Sequence, residues 1–327
     1  MSSKVLLIYG HTNNHLGLWN DLKEDTRVIL RTTEPRELNW FVNRIKRIYK
    51  KIPNIAKHVP IKHLFYQYID IFKIIPHVQH LLVIDGALKF IDISELNKCR
   101  RKNKELKISL YLINSVNANS PIMKSVIPKI PQFKWDKIYT FDANDAKQYG
   151  YTHLGFNYYS SHSHESSLLS TSDVFFVGGL KGGRTEIIYN LYTYLSSHGV
   201  RCDFHLMPIE NLAIKHLAGI CYCKSWQPYE EILEKVQQTN CIIEIVQEGQ
   251  SGATLRYFEA VTMNKKLLTN NPHIKEFPLY NPKWMKTFQD IEDIDMEWLL
   301  RDEKVDYGYQ GEFSPTHLID YVTNGQR

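Results

Sequence analysis

No apolar run in this chain of 327 residues reaches the roughly 18 residues that a helix needs to cross a bilayer, so no helical membrane span is expected. Cysteine is scarce and odd in number, five in all, without the regular spacing of a disulfide framework; a disulfide scaffold is excluded and a reducing compartment fits. Cys221 and Cys223 form a C-x-C in GICYCKS, but no second C-x-C and no His pair stands near them in the sequence. They read as strand residues, and no metal site is expected. His162 and His164 make an H-x-H in YYSSHSHESSLLSTSD with no further ligand nearby, which is the composition of a connector. A Walker A ending and a G-x-G-x-x-G fingerprint are both absent. The opening MSSKVLLIYGHTNNH has too short an apolar run for a secretory leader and reads as a first strand, so a cytoplasmic location is expected.

What is present is an ordinary globular composition, 43% hydrophobic and 23% charged, in a length that suits two domains. The net charge of +5 conceals a division. Residues 1–160 hold 25 Lys and Arg against 13 Asp and Glu, a net +12, while the remainder holds 15 against 22, a net −7. The first half is therefore expected to meet something anionic: a membrane surface, a phosphorylated substrate or nucleic acid. In RELNWFVNRIKRIYKKI, Leu38, Phe41, Ile45, Ile48 and Ile52 fall on one helical stripe, with Arg44, Lys46, Arg47, Lys50 and Lys51 largely elsewhere. Such a helix either docks on anionic lipid or packs its apolar stripe on the core with its charges in water.

Short β-rich runs alternate with helical patterns on both sides of the Ser- and His-rich connector, the signature of βαβ units and parallel sheets. KVLLIYG, TRVILRT, HLLVIDG, LKISLYLIN, DKIYTFD and THLGFN read as strands in the first half. DVFFVGG, RCDFHLMP, GICYCKS, CIIEIVQ and KKLLTNN do so in the second. Runs this continuously apolar imply sheets covered on both faces. The expected architecture is α/β, with a Rossmann-like domain over 1–160, a linker over 161–172, and a second Rossmann-like domain over 173–327 that faces the first across a cleft and ends in a helix at FSPTHLIDYVTN.

Ligands of open α/β sheets lie beyond the carboxyl ends of the strands, where helix N-termini present free amides. After CIIEIVQ, the run Glu248-Gly249-Gln250-Ser251-Gly252-Ala253-Thr254 supplies glycines for close backbone approach and hydroxyls for capping or for phosphate oxygens. Glu259 follows on the helix, where its carboxylate is placed either to accept ribose hydroxyls or to face solvent. Earlier, DVFFVGGLKGGRTEIIYN ends a strand at Gly178-Gly179 and opens a helix through a Lys-Gly-Gly-Arg turn. Lys181 and Arg184 are either ligands for a diphosphate or charges on a solvated turn.

The segment PYEEILEKVQQTNCIIEIVQEGQSGATLRYFEAVTMNKKLLTNN resembles the nucleotide-binding half of GT-B glycosyltransferases, most closely those of bacterial capsule, exopolysaccharide and lipopolysaccharide clusters. The likeness covers residues 173–271, with KIYTFDANDAKQYG in the first half. It implies a transferase that takes a nucleotide-sugar, UDP-linked by default with UDP-galactofuranose as one sugar, to a glycan or lipid-linked acceptor. Gln250, Ser251, Gly252 and Thr254 then fall on the diphosphate loop and Glu259 on the ribose position, with Arg256 less clearly placed. Gly179, Lys181 and Arg184 join them beside the diphosphate. Neither a cofactor nor a metal is required, and no nucleic acid is expected. An inverting transfer needs a base, for which His11 and Asp85, each just after an apolar strand, are the candidates. Asp142 and Asp145 read as helix caps, and Asp293-Ile294-Asp295 as an acidic turn rather than a manganese D-x-D. A nucleotide-sugar epimerase, a non-catalytic nucleotide-sugar subunit and a nucleic-acid binder are the rival readings.

Overall fold

A computed structural model of the chain describes residues 3–10, 17–33, 44–45, 71–116, 121–160, 170–180, 183–207, 215–225, 227–246 and 252–325. Two compact units divide it: Met1–His15, Asp21–Leu154 and Leu318–Arg327 form the first, and Leu16–Asn20 with Gly155–His317 the second.

The first unit is built on a parallel sheet of β1 (Val5–Gly10), β2 (Val28–Thr33), β3 (His80–Ile84), β4 (Lys107–Leu112), β5 (Lys137–Thr140) and β6 (Thr152–His153), in the order β2-β1-β3-β4-β5-β6. Val5, Leu6, Leu7 and Ile8 are buried on both faces of β1, as are Leu81 to Ile84 of β3, which is why these runs are apolar without alternation. Helix α1 (Ile93–Lys102) starts at a capping box in which Asp92 accepts from Ser94 N and Glu95 accepts from Asp92 N. Leu96 and Cys99 are its core-facing residues. Helix α2 (Ala143–Tyr149) is capped by Asp142, whose Oδ1 accepts from Asn144 N at 2.9 Å and Asp145 N at 3.1 Å. Asp145 turns inward and accepts from Val116 N at 2.7 Å, tying α2 to the segment after β4.

The second unit repeats the plan with β7 (Ser172–Gly179), β8 (Cys202–Met207), β9 (Ile220–Tyr222), β10 (Thr239–Glu244), β11 (Lys266–Thr269) and β12 (Met285–Thr287), in the order β12-β11-β10-β7-β8-β9. Counted from β7, this is the 3-2-1-4-5-6 order of dinucleotide-binding sheets, whereas the first unit begins 2-1-3-4-5 as flavodoxin-like sheets do. Helices α3 (Arg184–Ser197), α4 (Tyr229–Gln237) and α5 (Leu255–Thr262) intervene between strands. A core distinct from that of the first unit gathers Phe176, Ile188, Leu191, Phe204, Ile243 and Trp298.

Two features depart from the sequence expectation. β12 is an added strand, three residues long. The last helix, α6 (Pro315–Asn324), is divided: from Leu318 onward the chain belongs to the first unit, where Arg27 pairs with Asp320 at 2.5 Å and the rings of Tyr139 and Tyr321 meet edge to face. The expected linker is largely outside the described residues, but its end is anchored, since Thr171 N donates to Gln238 O at 2.8 Å and β7 begins at Ser172. Most of the basic amphipathic helix expected over 36–52 also lies outside them.

Candidate functional site

The carboxyl ends of β7 and β10 are adjacent strands, and this is where the strand order of the second sheet reverses. Crevices at such a reversal are where open α/β sheets bind ligands. β7 ends in Gly178-Gly179 and leads into α3; β10 ends in Glu244 and leads into α5.

Glu244 is wholly buried at the end of an apolar strand and holds the neighbouring segments together. Its Oε1 accepts from the Thr254 hydroxyl and its Oε2 from the Thr269 hydroxyl of β11 at 2.6 Å. Burial raises its pKa against the pull of these two donors and of Arg256. Thr254 has a second task as the N-cap of α5, accepting from Arg256 N at 3.1 Å. The Thr-Asn-Asn that closes β11 and leads out of it makes hydrogen bonds within the unit at all three residues. Asn270 Oδ1 accepts from Val246 N at 2.8 Å, and Asn271 Oδ1 accepts from His273 N at 3.0 Å to cap the short 3-10 turn Pro272–Glu276.

One turn into α5, Arg256 Nη1 lies 2.7 Å from Glu259 Oε2, an i,i+3 ion pair whose carboxylate is fully enclosed. Tyr229, at the start of α4, donates to Glu259 Oε1 at 2.9 Å and lies 2.6 Å from the hydroxyl of Tyr159. Burial lifts the Glu259 carboxyl to about 7, opposed by Arg256 and by the Tyr229 hydrogen bond, while Glu244 adds to the rise. The Arg256–Glu259 contact lacks hydrogen-bond alignment, so Arg256 Nη1 and Glu259 Oε2 keep buried hydrogen-bonding capacity unused among the described residues.

Arg184, the first residue of α3, places its guanidinium 5.5 Å from the centre of the Phe176 ring and against Gly178. A Cβ on Gly178 would stand 2.6 Å from Arg184 Nη2, so the strand end is glycine where the cation lies on it. Burial pushes the Arg184 pKa down to about 10; the nearby Arg256 adds to this and Glu244 opposes it. Its Nε has no hydrogen-bond partner among the described residues. Two cations thus converge at two helix N-termini, each with a buried N–H left without a hydrogen-bond partner among the described residues, and one of them also paired with a buried acid. That is a charge distribution suited to a multiply charged anion.

Of the residues proposed from sequence, the structure brings Gly179, Arg184, Thr254 and Glu259 to this end of the sheet, with Gly252 in the turn before α5. His11, Lys181, Gln250 and Ser251 lie outside the described residues. Asp85 sits in the first unit, at the start of a helical turn after β3, and is wholly buried. Gly86 N (2.5 Å), Ile113 N (3.1 Å), Asn114 N (2.9 Å) and Asn114 Nδ2 (3.0 Å) all donate to its carboxylate, which clasps the ends of β3 and β4 together. Burial still raises its pKa to about 6. Asp295 caps the helix Met296–Leu300 by accepting from Trp298 N at 2.9 Å, in keeping with a turn rather than a metal motif.

Sequence reasoning missed Glu244 and Tyr229. An acid closing the apolar run Cys-Ile-Ile was the available signal for the first; Tyr229 is 30 residues from its partner Glu259 and carries no local sign of it.

No family model matches the chain, and no curated protein sequence matches it. Among solved structures, it is similar to an alpha-glucosyltransferase in complex with UDP and a 13-mer DNA, at 8% identity and a TM-score of 0.48, over 85% of this chain and 82% of that one. It is also similar to the glycosyltransferase SnogD from Streptomyces nogalater (10% identity, TM-score 0.40, 84% and 85% covered). A third is the spinosyn rhamnosyltransferase SpnG complexed with thymidine diphosphate (9% identity, TM-score 0.35, 98% and 93% covered). At these values the likeness assigns no residue a role.

Proposed function

We propose that the chain is a glycosyltransferase of GT-B type that takes a sugar from a nucleoside-diphosphate donor, by default UDP-linked, to a glycan or lipid-linked acceptor of a bacterial surface polysaccharide. The observation that supports it best is the meeting of Arg184 and Arg256 at the strand-order reversal between β7 and β10, each on the first turn of its helix. Charge builds on the diphosphate as the glycosidic bond to it breaks, and fixed cations with helix N-termini stabilise that charge without reorganising. In this reading Arg184 and Arg256 take the diphosphate, Gly179, Gly252 and Thr254 shape the backbone that approaches it, and Lys181, Gln250 and Ser251 complete the loops. His11 is the proposed base for the acceptor hydroxyl. Asp85, with its four internal donors, acts first as a clasp, and a role as base would require that clasp to open.

For Glu259 the enclosed pair with Arg256 favours a positioning role: it orients the guanidinium toward the diphosphate. The ribose role read from sequence is separable by experiment. Glu259→Ala should weaken UDP at least tenfold in calorimetry, and should do the same to 2′-deoxy-UDP if Glu259 acts through Arg256. If it binds the ribose, the variant will instead lose the preference for UDP over the deoxy form. The overall reading is tested by titrating UDP, GDP and CDP with and without magnesium, then following donor hydrolysis and transfer to glycan, lipid-linked and DNA acceptors. Binding of none of the three diphosphates would overturn it; turnover of donor without any acceptor to an isomeric sugar would make the chain an epimerase.

A further inference from the structure

The second unit carries another constellation, at the opposite edge of its sheet from β12. β9 is the edge strand and pairs with β8 so that Cys221 stands beside His205. Because side chains alternate along a strand, Asp203 and His205 of β8 share one face, as do Cys221 and Cys223, whose N donates to Leu206 O at 2.8 Å to extend the pairing. Cys221 Sγ lies 3.9 Å from Cys223 Sγ, and Cys223 Sγ lies 4.0 Å from His205 Nδ1. The three potential ligand atoms are all within 4.8 Å of one another. In a tetrahedral zinc site, with Zn–S of about 2.3 Å and Zn–N of about 2.1 Å, neighbouring ligand atoms are about 3.6–3.8 Å apart. The spacing observed is close to that of three corners of such a tetrahedron.

The imidazole is already oriented for the task. His205 Nε2 is bonded to Asp203 Oδ1 at 2.7 Å, and Asp203 Oδ2 is held by Lys235 of α4 at 3.2 Å. A carboxylate on one ring nitrogen directs the other, here Nδ1, to the metal, and this outer partner is a recurrent part of histidine–metal sites. His205 is buried, Cys223 half-buried and Cys221 exposed, so an ion bound by all three would be enclosed on the protein side and open to solvent on the other. We propose that His205, Cys221 and Cys223 form a zinc-binding site with Asp203 as the positioning residue and a fourth position open to water. The C-x-C without a nearby His pair is completed by a histidine from the adjacent strand, a pairing that the chain order does not show. Two thiolates and an imidazole suit zinc, and three protein ligands with an open position are the pattern of zinc sites that do chemistry.

The test uses the full-length, fully reduced protein and cobalt(II) as the probe. One equivalent should give the intense visible bands of a tetrahedral ion together with a thiolate-to-cobalt charge-transfer band, and one equivalent of zinc should remove them. Cys223→Ser, Cys221→Ser and His205→Gln should each weaken binding at least 100-fold, whereas Cys202→Ser should leave it unchanged. Asp203→Asn should keep the stoichiometry and lower affinity by 10- to 100-fold. Near-ultraviolet circular dichroism of each metal-free variant, matched to the parent, separates loss of ligand from loss of fold. Absence of a thiolate band in the reduced parent, its persistence in the Cys221→Ser/Cys223→Ser double variant, or failure of zinc to displace cobalt would each overturn the site. Unchanged affinity in Asp203→Asn would overturn the part assigned to Asp203.

Discussion

Asp85 illustrates how an acid that looks reactive in sequence can be consumed by the fold. Its carboxylate accepts four N–H donors, and Asp85→Asn would set an amide NH2 against some of them. A cost of about 2–4 kcal/mol to the first unit is expected, read as a lowered urea midpoint. An unchanged midpoint with turnover abolished would instead mark Asp85 as the base. Glu259 gives the second residue-scale prediction. The folded carboxyl keeps its proton up to about 7, the unfolded one only to about 4.5, so the folded state binds more protons between these values. Stability therefore falls as pH rises through that window, by an amount on the order of 3 kcal/mol for a fully expressed shift. Glu259→Gln should flatten the second unit's loss of stability between pH 5 and 8, while Glu244, also held up by burial, keeps a slope of the same sign. Identical slopes in both proteins would show that the proton is not on Glu259. Residue types at both positions were legible in the sequence; their partners, Asn114 and Tyr229, were not, because each is about 30 residues away and touches its acid only through tertiary packing.

Elements were easier to read than contacts. Among the foreseen strands, β1, β3 and β11 are buried along their whole length, so apolarity alone marks them, whereas β2, β6 and β9 are largely half-buried or exposed and were read from their β-rich composition; β12, Met-Lys-Thr, offers neither signal. Helix starts at Asp92, Asp142 and Thr254 follow from their side-chain acceptors. At this scale the junction of β7 with α3 is open to test. In Gly178→Ala the new methyl meets the far end of Arg184 and, at 3.1 Å, Cζ of the buried Phe176 ring, so a cost of about 1 kcal/mol to the second unit is expected while the guanidinium is displaced. UDP affinity should fall about tenfold, and unchanged calorimetry would remove Arg184 from the diphosphate. Gly10→Ala is the contrasting case, because its Cβ would lie 2.9 Å from the backbone carbon of Gly86, and backbone cannot swing aside. It should cost about 1–3 kcal/mol in the first unit, measured in urea, without altering nucleotide affinity.

Over the whole molecule, two sheets with separate cores allow a ligand to stabilise one unit by itself. UDP at a hundred times its dissociation constant should add about 2.7 kcal/mol to the second unit. Hydrogen exchange should slow in β7, β10 and α5, and slowing confined to β1, β3 and β4 would locate the nucleotide elsewhere. The positive first half was legible by counting, but what it meets was not, since the basic segment over 36–52 lies largely outside the described residues. The division of the chain has a consequence for its synthesis. The first unit takes in Leu318–Arg327, and Asp320 and Tyr321 there meet Arg27 and Tyr139 from the opposite end of the sequence. Domains generally fold in the order in which they leave the ribosome. Here the amino-terminal unit includes residues translated after those of the second unit, so the second unit, whose own segments have all emerged by His317, is the one that can finish first.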